Sequence, residues 1–323
     1  MKAARIIAGL GLALTPFGAA AAAAPEKWPA KPVRMIVPFS PGAASDVLSR
    51  IVGQRLSEMH GQQFVADNRP GAGGLIGSQL TKQAVPDAYT LAIVGQPHLT
   101  NALLRDPLPY EPLKDFTSIG LVAMTPNIIV IGKGIEAKTV PDLIALAKAK
   151  PGALNYGSAG VGSSSHIAGA LFATKAAIDV VHVPFRVGDS RAALIAGAIQ
   201  YYVYPLPAIM PLIRSNTLRA LAIATPKRAP SLPDVPTTAE AGFPQYQSIS
   251  WFGMIGPKGL PRSFVARMNA DIQKVLNEPA VRENVVKQGA EPSPGTPEHF
   301  AKMQQDEYAE LAALIKQTGM KVQ

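Results

Sequence analysis

Short apolar runs alternate along this chain with longer stretches in which apolar residues recur every three or four positions. The first such pair begins at residues 33–38, a run of strand length that ends at Pro38. Behind it come a loop of small residues and then helically spaced apolar side chains: Val47, Leu48, Ile51, Val52, Leu56 and Met59. The pattern predicts a strand, a loop and a helix that begins at Ser45 or Asp46, either of which can cap it.

A second copy of this pattern occupies residues 153–175. A short run at residues 154–157 enters a loop of Ser, Ala and Gly, and Ile167, Leu171 and Phe172 follow at helical spacing. A helix N-terminus directs backbone N–H groups and partial positive charge toward one point, which favours a bound anion. Two such termini can hold one anion from opposite sides, although an ordinary strand–helix turn explains each copy equally well.

Strand and helix patterns alternate throughout the chain, which is typical of an α/β protein with helices on both faces of parallel or mixed sheets. Two apolar runs, at residues 116–131 and 248–256, are placed to cross between two lobes. We therefore expect a first lobe built from residues 24–124 and 250–323, and a second lobe built from residues 125–249.

The first 23 residues have the features of a signal peptide. Lys2 and Arg5 give a basic start, an apolar stretch follows, and alanines near residue 22 offer a cleavage site. The chain has no cysteine, which excludes a lipid-modified cysteine, disulfides and thiolate metal ligands. These features predict an exported protein that is free in the periplasm.

Composition and motifs argue against several other functions. The net charge of +9 comes from scattered Lys and Arg without interleaved aromatics, which favours attraction of anionic solutes over nucleic-acid binding. The glycines at residues 71–77 do not form a nucleotide motif, because Ile76 stands where the last Gly belongs. Serines 163–165 beside His166 invite a hydrolase interpretation, but the chain has no G-x-S-x-G. We expect no metal, no cofactor and no catalysis.

Several motifs occur in order along the whole mature chain: VPFSPGAASD, DNRPGAGGLIGSQ, LNYGSAGVGSSSHIAGALF, LPDVPTTAEAGFP and SWFGMIGPKGLP. Together they resemble the substrate-binding proteins of tripartite tricarboxylate transporters, also called the Bug family. The resemblance implies a type II periplasmic binding protein, with two α/β lobes and a ligand cleft between them. It further implies capture of a small carboxylate and delivery to a membrane permease. A sensor partner of a two-component system is the alternative.

The resemblance also implies that the loops at residues 39–46 and 158–165 hold a ligand carboxylate. This chain departs from the family pattern at Ala43, where a second Gly is usual, and at Tyr204, where many members carry Asp. The second departure favours a plain or aromatic carboxylate over an amino acid. Arg186 or Arg191 could pair with a second carboxylate, or be solvated. The ligand-binding residues expected are Phe39, Ser40, Ala43, Ala44, Ser45, Asp46, Gln96, Ser158, Ala159, Gly162, Ser163, Ser164, Asp189 and Tyr204. We expect a monomer.

Overall fold

The computed structural model describes residues 28–107, 109–185 and 189–318. The predicted signal peptide, residues 1–23, lies outside these ranges. The strands are β1 Val33–Val37, β2 Phe64–Asn68, β3 Thr90–Gly95, β4 Phe116–Ile131, β5 Asn155–Ser158, β6 Val181–Pro184, β7 Tyr201–Pro205, β8 Arg219–Ile223, β9 Ile249–Pro257 and β10 Glu291–Pro292. The helices are α1 Ala44–His60, α2 Leu75–Lys82, α3 Pro97–Leu104, α4 Val140–Ala149, α5 Ser164–Ala176, α6 Asp189–Ile195, α7 Leu206–Arg214, α8 Arg262–Asn277, α9 Pro279–Lys287 and α10 Pro297–Thr318.

Strand β4 joins the two halves of the molecule. Its first part pairs antiparallel with β9, from Phe116 opposite Pro257 to Pro126 opposite Ile249. Its last five residues, from Asn127 onward, pair instead with β7 and β8. The strand order is β2-β1-β3-β9-β4-β7-β5-β6, so β4 belongs to both halves. The apolar run predicted to cross between lobes is therefore one continuous strand.

Each half has the mixed α/β architecture that the alternating pattern predicted. In the first half β1 pairs in parallel with β2 and β3, and in the second half β5 pairs in parallel with β6 and β7. Helices cover both faces of the inner parallel strands, so β1 and β3 are largely buried apolar runs, whereas the outer strands β2 and β6 are partly exposed. The chain returns to the first half through Ser248, which exchanges backbone hydrogen bonds with Ala224 and Asn127.

One apolar core runs across both halves, from Met35 and Leu48 to Tyr204 and Leu206, and further cores are centred on each half. One core in the second half gathers Phe172, Tyr201 and Tyr246 around the end of β4. A core of the first half packs Phe300 of α10 against Trp251, with ring centroids 5.4 Å apart. Within the described ranges, no helix combines the length and the apolar character that a membrane span needs.

One local prediction is wrong. Helix α1 begins at Ala44 with Ala43 at its N-cap position, so neither Ser45 nor Asp46 caps it. Helix α3 begins at Pro97, directly after β3. Proline suits the first position of a helix because its missing N–H would have no intrahelical partner. Helix α4 is capped by Thr139 and has Pro141 in its first turn.

The two halves touch where the loop at residues 71–74 packs on the loop at residues 160–163. Gly73 has φ +67°, and a Cβ built on it would lie 2.2 Å from the carbonyl oxygen of Val161. Nearby, the hydroxyl of Thr100 donates to the carbonyl oxygen of Gly162 over 2.6 Å. The glycine-rich loop at residues 71–74 is thus a contact surface between the two halves.

Replacing Gly73 tests this contact, and Gly61 offers a matched control. Both glycines have φ +67°, but a Cβ on Gly61 would meet nothing within 4 Å. Gly61→Ala should cost only the left-handed backbone energy, about 1–2 kcal/mol. Gly73→Ala should cost about 1–3 kcal/mol more, because the methyl group overlaps a carbonyl. Denaturant unfolding measures both; equal losses would contradict the close contact.

Candidate ligand-binding cavity

A narrow cavity lies where the N-termini of α1 and α5 face the ends of β3 and β7. Its volume is about 20 Å³, room for about one water molecule. Eight of the expected residues line it: Phe39, Ala43, Ala44, Ser45, Gln96, Ala159, Ser164 and Tyr204. The other lining residues are Pro97, Pro205, Ser250, Trp251 and Phe252. The structure therefore brings the two predicted loops to one point.

The α1 terminus has hydrogen-bond donors without a side-chain cap. Ala43 occupies the N-cap position in extended conformation and, having only a methyl group, makes no side-chain cap hydrogen bond. Ser45 is the second residue of α1; it is 2% exposed, and its hydroxyl has no hydrogen-bond partner. A buried hydroxyl without a partner is unfavourable. Both residues line the cavity, so an acceptor bound there would satisfy these donors.

Asp46 supports the loop and does not line the cavity. Its carboxylate accepts from the backbone N–H of Gly42 over 2.8 Å, and from Arg50 and Asn68 over 3.0 Å each. Burial raises the pKa of Asp46, but these three hydrogen bonds outweigh it and hold the pKa below its usual range. Ser40 also lies outside the cavity, and its carbonyl accepts from the N–H of Ala43 over 3.1 Å.

The α5 terminus, in contrast, is capped from within. Ser163 is its N-cap, and its hydroxyl accepts from the N–H of His166 over 3.3 Å. The hydroxyl of Ser165 accepts from the N–H of Ala159 over 3.0 Å, and that of Ser158 accepts from the N–H of Gly160 over 3.1 Å. These serines shape the loop. Ser164 and Ala159 are the loop residues that reach the cavity.

Two stacked histidines lie beneath this second loop. His166 and His182 have ring centroids 4.1 Å apart, and Nε2 of His182 lies 2.7 Å from the hydroxyl of Ser158. Nδ1 of His166 accepts from the N–H of Gly162 over 3.3 Å, which requires a neutral ring. Burial lowers the pKa of His166 to about 4; burial and the neighbouring His166 lower the pKa of His182 to about 3.

Tyr204 forms an aromatic wall of the cavity. It is 8% exposed, and its ring lies 4.6 Å, centroid to centroid, from that of Tyr202. Burial raises the pKa of Tyr204, while the nearby Arg191 opposes the rise. The phenol therefore stays neutral near pH 7 and offers a ring face and a hydroxyl.

Arg191 and Asp189, two residues of α6 that were expected near the ligand, do not line the cavity. The guanidinium of Arg191 donates to the carbonyl oxygens of Gly42, over 3.3 Å, and Ala208, over 3.1 Å. Arg191 thereby links the second half of the molecule to the loop at residues 39–46. Asp189 begins α6, is exposed and does not line the cavity, and Arg186 lies outside the described residues. Gly162, also expected at the ligand, instead contacts Thr100 and His166.

Sequence reasoning missed the wall formed by the start of β9, Ser250 to Phe252. These residues belong to the apolar run that was expected to cross between lobes, and a crossing segment borders the cleft between them. The location of Ser250 to Phe252 in a crossing segment could therefore have predicted that they line the cleft. Trp251 donates from Nε1 to Oε2 of Glu307, a half-buried residue of α10, and Gln96 donates from Nε2 to Oε1 of the same carboxyl over 2.9 Å. Burial raises the pKa of Glu307, while these two hydrogen bonds oppose the rise.

The comparisons with known proteins identify the family. The model of the tripartite tricarboxylate transporter family receptor matches residues 48–320. The chain belongs to this family. It is 32% identical to Protein BugT of Bordetella pertussis over 325 residues, which cover all of both chains. The predicted family is confirmed.

Solved structures of similar proteins confirm the fold. An R. palustris protein determined with adipate is 34% identical, with a TM-score of 0.88 over 91% of this chain and 99% of that one. MatC from Rhodopseudomonas palustris with bound malate is 29% identical, with a TM-score of 0.84 over 89% of this chain and all of that one. The receptor fold is therefore that of a periplasmic binding protein, with two α/β lobes and a cleft, as predicted.

The stacked histidines predict a loss of stability in acid. Their pKa values in the folded protein, about 3 and about 4, lie below the usual 6.5, as does that of the buried His98, about 4. Between pH 6.5 and 4 the unfolded chain therefore binds more protons, and the free energy of unfolding falls as pH falls. Each histidine contributes a slope of up to about 1.4 kcal/mol per pH unit.

Removing one histidine should flatten this slope. His182→Gln keeps a nitrogen near Ser158 but cannot be protonated, so the loss of unfolding free energy between pH 6.5 and 4 should shrink by one histidine's share. The same substitution at the exposed His299 should retain the wild-type profile. Urea unfolding at several pH values measures both. An unchanged slope in His182→Gln would show that His182 is not held neutral by the fold.

Proposed function

We propose that this protein is a periplasmic receptor that captures a small carboxylate in the cavity between α1 and α5 and delivers it to a membrane permease of the tripartite tricarboxylate type. One observation carries the proposal. Helix α1 has no side-chain cap, and the buried hydroxyl of Ser45 beside that terminus has no partner. A carboxylate supplies the acceptor atoms that both lack.

Most of the binding free energy must come from hydrogen bonds to the ligand carboxylate. A helix N-terminus stabilises a partly buried anion by up to about 2 kcal/mol, whereas micromolar affinity needs about 8 kcal/mol. Two helix termini do not supply that difference. Hydrogen bonds to a charged acceptor contribute about 1.5–3 kcal/mol each. Several such bonds, from the α1 terminus, Ser45 and Ser164, in a cavity that excludes water, account for the remainder.

The small cavity supports capture by hinge closure. A volume of about 20 Å³ is too small for a dicarboxylate, so its walls must separate for a ligand to enter. Those walls come from both halves of the molecule, which are linked by the Thr100–Gly162 and Arg191–Gly42 hydrogen bonds. We place the hinge at the crossing segments near residues 125 and 249, with residues 24–124 and 250–323 moving against residues 125–249.

Lining chemistry supports a carboxylate rather than an amino acid. Tyr204 and Pro205 form the wall on the side of β7, and neither carries the negative charge that would pair with an ammonium group. The ring of Tyr204 suits an aromatic or aliphatic chain. Relatives determined with adipate and malate support the same ligand class.

Export through the N-terminal leader, a monomeric state and the absence of catalysis complete the proposal. The family consists of receptors, which supports transport over catalysis. Among the described residues, no cluster of His, Asp or Glu is arranged to hold a metal ion. The ligand-loaded form should recover a permease from membranes of its source organism; recovery of a sensor kinase would favour the sensory alternative.

A thermal-shift screen tests ligand capture. Residues 24–323, refolded to remove any co-purified ligand, are screened against mono-, di- and tricarboxylates, aromatic acids and acidic amino acids. Binding to the folded state alone raises the melting temperature, by an amount that grows with ligand concentration. We expect a rise with one class of carboxylate. No rise across the whole panel would contradict the proposal.

Ser45→Ala separates binding from stability. Removing a buried hydroxyl without a partner should leave the ligand-free melting temperature unchanged or slightly higher. Carboxylate affinity should fall by roughly tenfold or more, since one hydrogen bond to a charged acceptor is lost. Calorimetric titration measures the affinity.

Ser49→Ala is the matched control, one turn along α1. The hydroxyl of Ser49 donates to the carbonyl oxygen of Ser45 over 2.6 Å, and Ser49 does not line the cavity. Its replacement should leave the affinity unchanged. Equal affinities in Ser45→Ala and the wild type would show that the Ser45 hydroxyl does not contact the ligand.

A further inference from the structure

The cavity wall formed by Gln96 and Trp251, with the half-buried Glu307 behind them, has a definite hydrogen-bond polarity. The two oxygens of Glu307 each accept from a nitrogen: Oε1 from Nε2 of Gln96 over 2.9 Å, and Oε2 from Nε1 of Trp251. Because the amide nitrogen of Gln96 donates to Glu307, its carbonyl oxygen is the end of the amide that Glu307 leaves unused.

Gln96 consequently presents an acceptor to the cavity. Its amide nitrogen is engaged by Glu307, and its carbonyl oxygen Oε1 has no hydrogen bond among the described residues. Gln96 and Trp251 both line the cavity, and the indole N–H is directed at Glu307. This wall therefore offers a ligand an apolar ring and one carbonyl oxygen.

The opposite wall offers donors. Ala44 and Ser45 at the start of α1 present backbone N–H groups and the hydroxyl of Ser45, which suit a carboxylate. The cavity is thus bipolar, with donors at α1 and an acceptor at Gln96. A ligand that fits both ends carries one carboxylate and, separately, a hydrogen-bond donor.

Both ends belong to the same half of the molecule. Helix α1, Gln96 after β3, Trp251 in β9 and Glu307 in α10 all lie on the side of β4 that pairs with β9. Opening of the cleft therefore leaves their spacing unchanged. The distance between the carboxylate position at α1 and the acceptor Oε1 of Gln96 is therefore the same in the open and the closed cleft. A ligand can be selected by this distance before the cleft closes.

Resting on the proposed function, we infer that Gln96, oriented by Glu307, selects carboxylates that bear a hydrogen-bond donor, with a hydroxyl as the donor expected. Glu307 is a positioning residue, because it acts through Gln96. A plain acid leaves Oε1 of Gln96 without a donor, and a second carboxylate placed there would bring acceptor oxygens against another acceptor. Both outcomes weaken binding.

Matched acids test the inference. Dissociation constants are measured by calorimetry for pairs that differ by one hydroxyl: lactate and propionate, 3-hydroxybutyrate and butyrate, malate and succinate, with both enantiomers of each hydroxy acid. The hydroxy acid of at least one pair should bind about tenfold tighter than its plain partner. Alanine, compared with lactate, shows whether an ammonium group serves as the donor instead.

Variants show whether Gln96 is responsible. Gln96→Met keeps the length of the side chain and removes the acceptor, so the hydroxy acid and its plain partner should bind with about equal affinity. Glu307→Gln frees the Gln96 amide to rotate, since a glutamine at 307 both donates and accepts, and should also reduce the preference. Gln304→Met is the control: Gln304 lies on α10 too, but its amide donates to Ser118.

The outcomes separate this inference from the proposed function. Carboxylate binding without preference for a hydroxyl or ammonium donor overturns the selection by Gln96 and leaves the receptor function standing. A preference that survives in Gln96→Met also overturns it. Failure of every acid to bind overturns the receptor function and this inference together. A preference lost in Gln96→Met and kept in Gln304→Met supports the assignment.

Discussion

The uncapped N-terminus of α1 is the constraint around which this receptor is built. In this protein α4 and α5 satisfy their first N–H groups with a side chain, through Thr139 and Ser163, whereas α1, α2, α3, α7, α8 and α9 have no side-chain cap. What distinguishes α1 is the buried hydroxyl of Ser45, its second residue, which lines the cavity and has no partner. Asp46 fixes the loop before α1 through Gly42 and Asn68. In the proposed function, a ligand carboxylate is the acceptor that this terminus lacks.

The division of roles between the two predicted loops follows from the same constraint. The loop before α5 is satisfied internally by its serines and by two neutral histidines, so it forms a rigid surface. The loop before α1 keeps its donors for the cavity. Gly73 allows the halves to approach within contact distance. In the proposed hinge closure, this rigid surface would cover the ligand and remove water from hydrogen bonds that are weak in its presence.

The sequence predicted the architecture well, because apolar periodicity reports buried strands and helix faces directly. It placed β4 at residues 116–131 as a crossing segment and brought the two helix termini together. It could not distinguish side chains that line a cavity from those that support a loop: Asp46, Ser158 and Ser163 have suitable chemistry but bond inward. It also could not reveal Glu307, whose contact with Gln96 joins positions 211 residues apart. Such pairings depend on tertiary packing, which leaves no local pattern.

The most direct test is an amide NMR titration of deuterated, isotope-labelled protein with the tightest-binding carboxylate. A hydrogen bond to a carboxylate moves an amide proton strongly downfield. The central claim, that the ligand carboxylate caps α1, predicts the largest downfield shifts at Ala44 and Ser45, with smaller changes at the start of α5. Saturating binding that leaves the amides of Ala44 and Ser45 unmoved would contradict it, and would place the carboxylate elsewhere in the cleft.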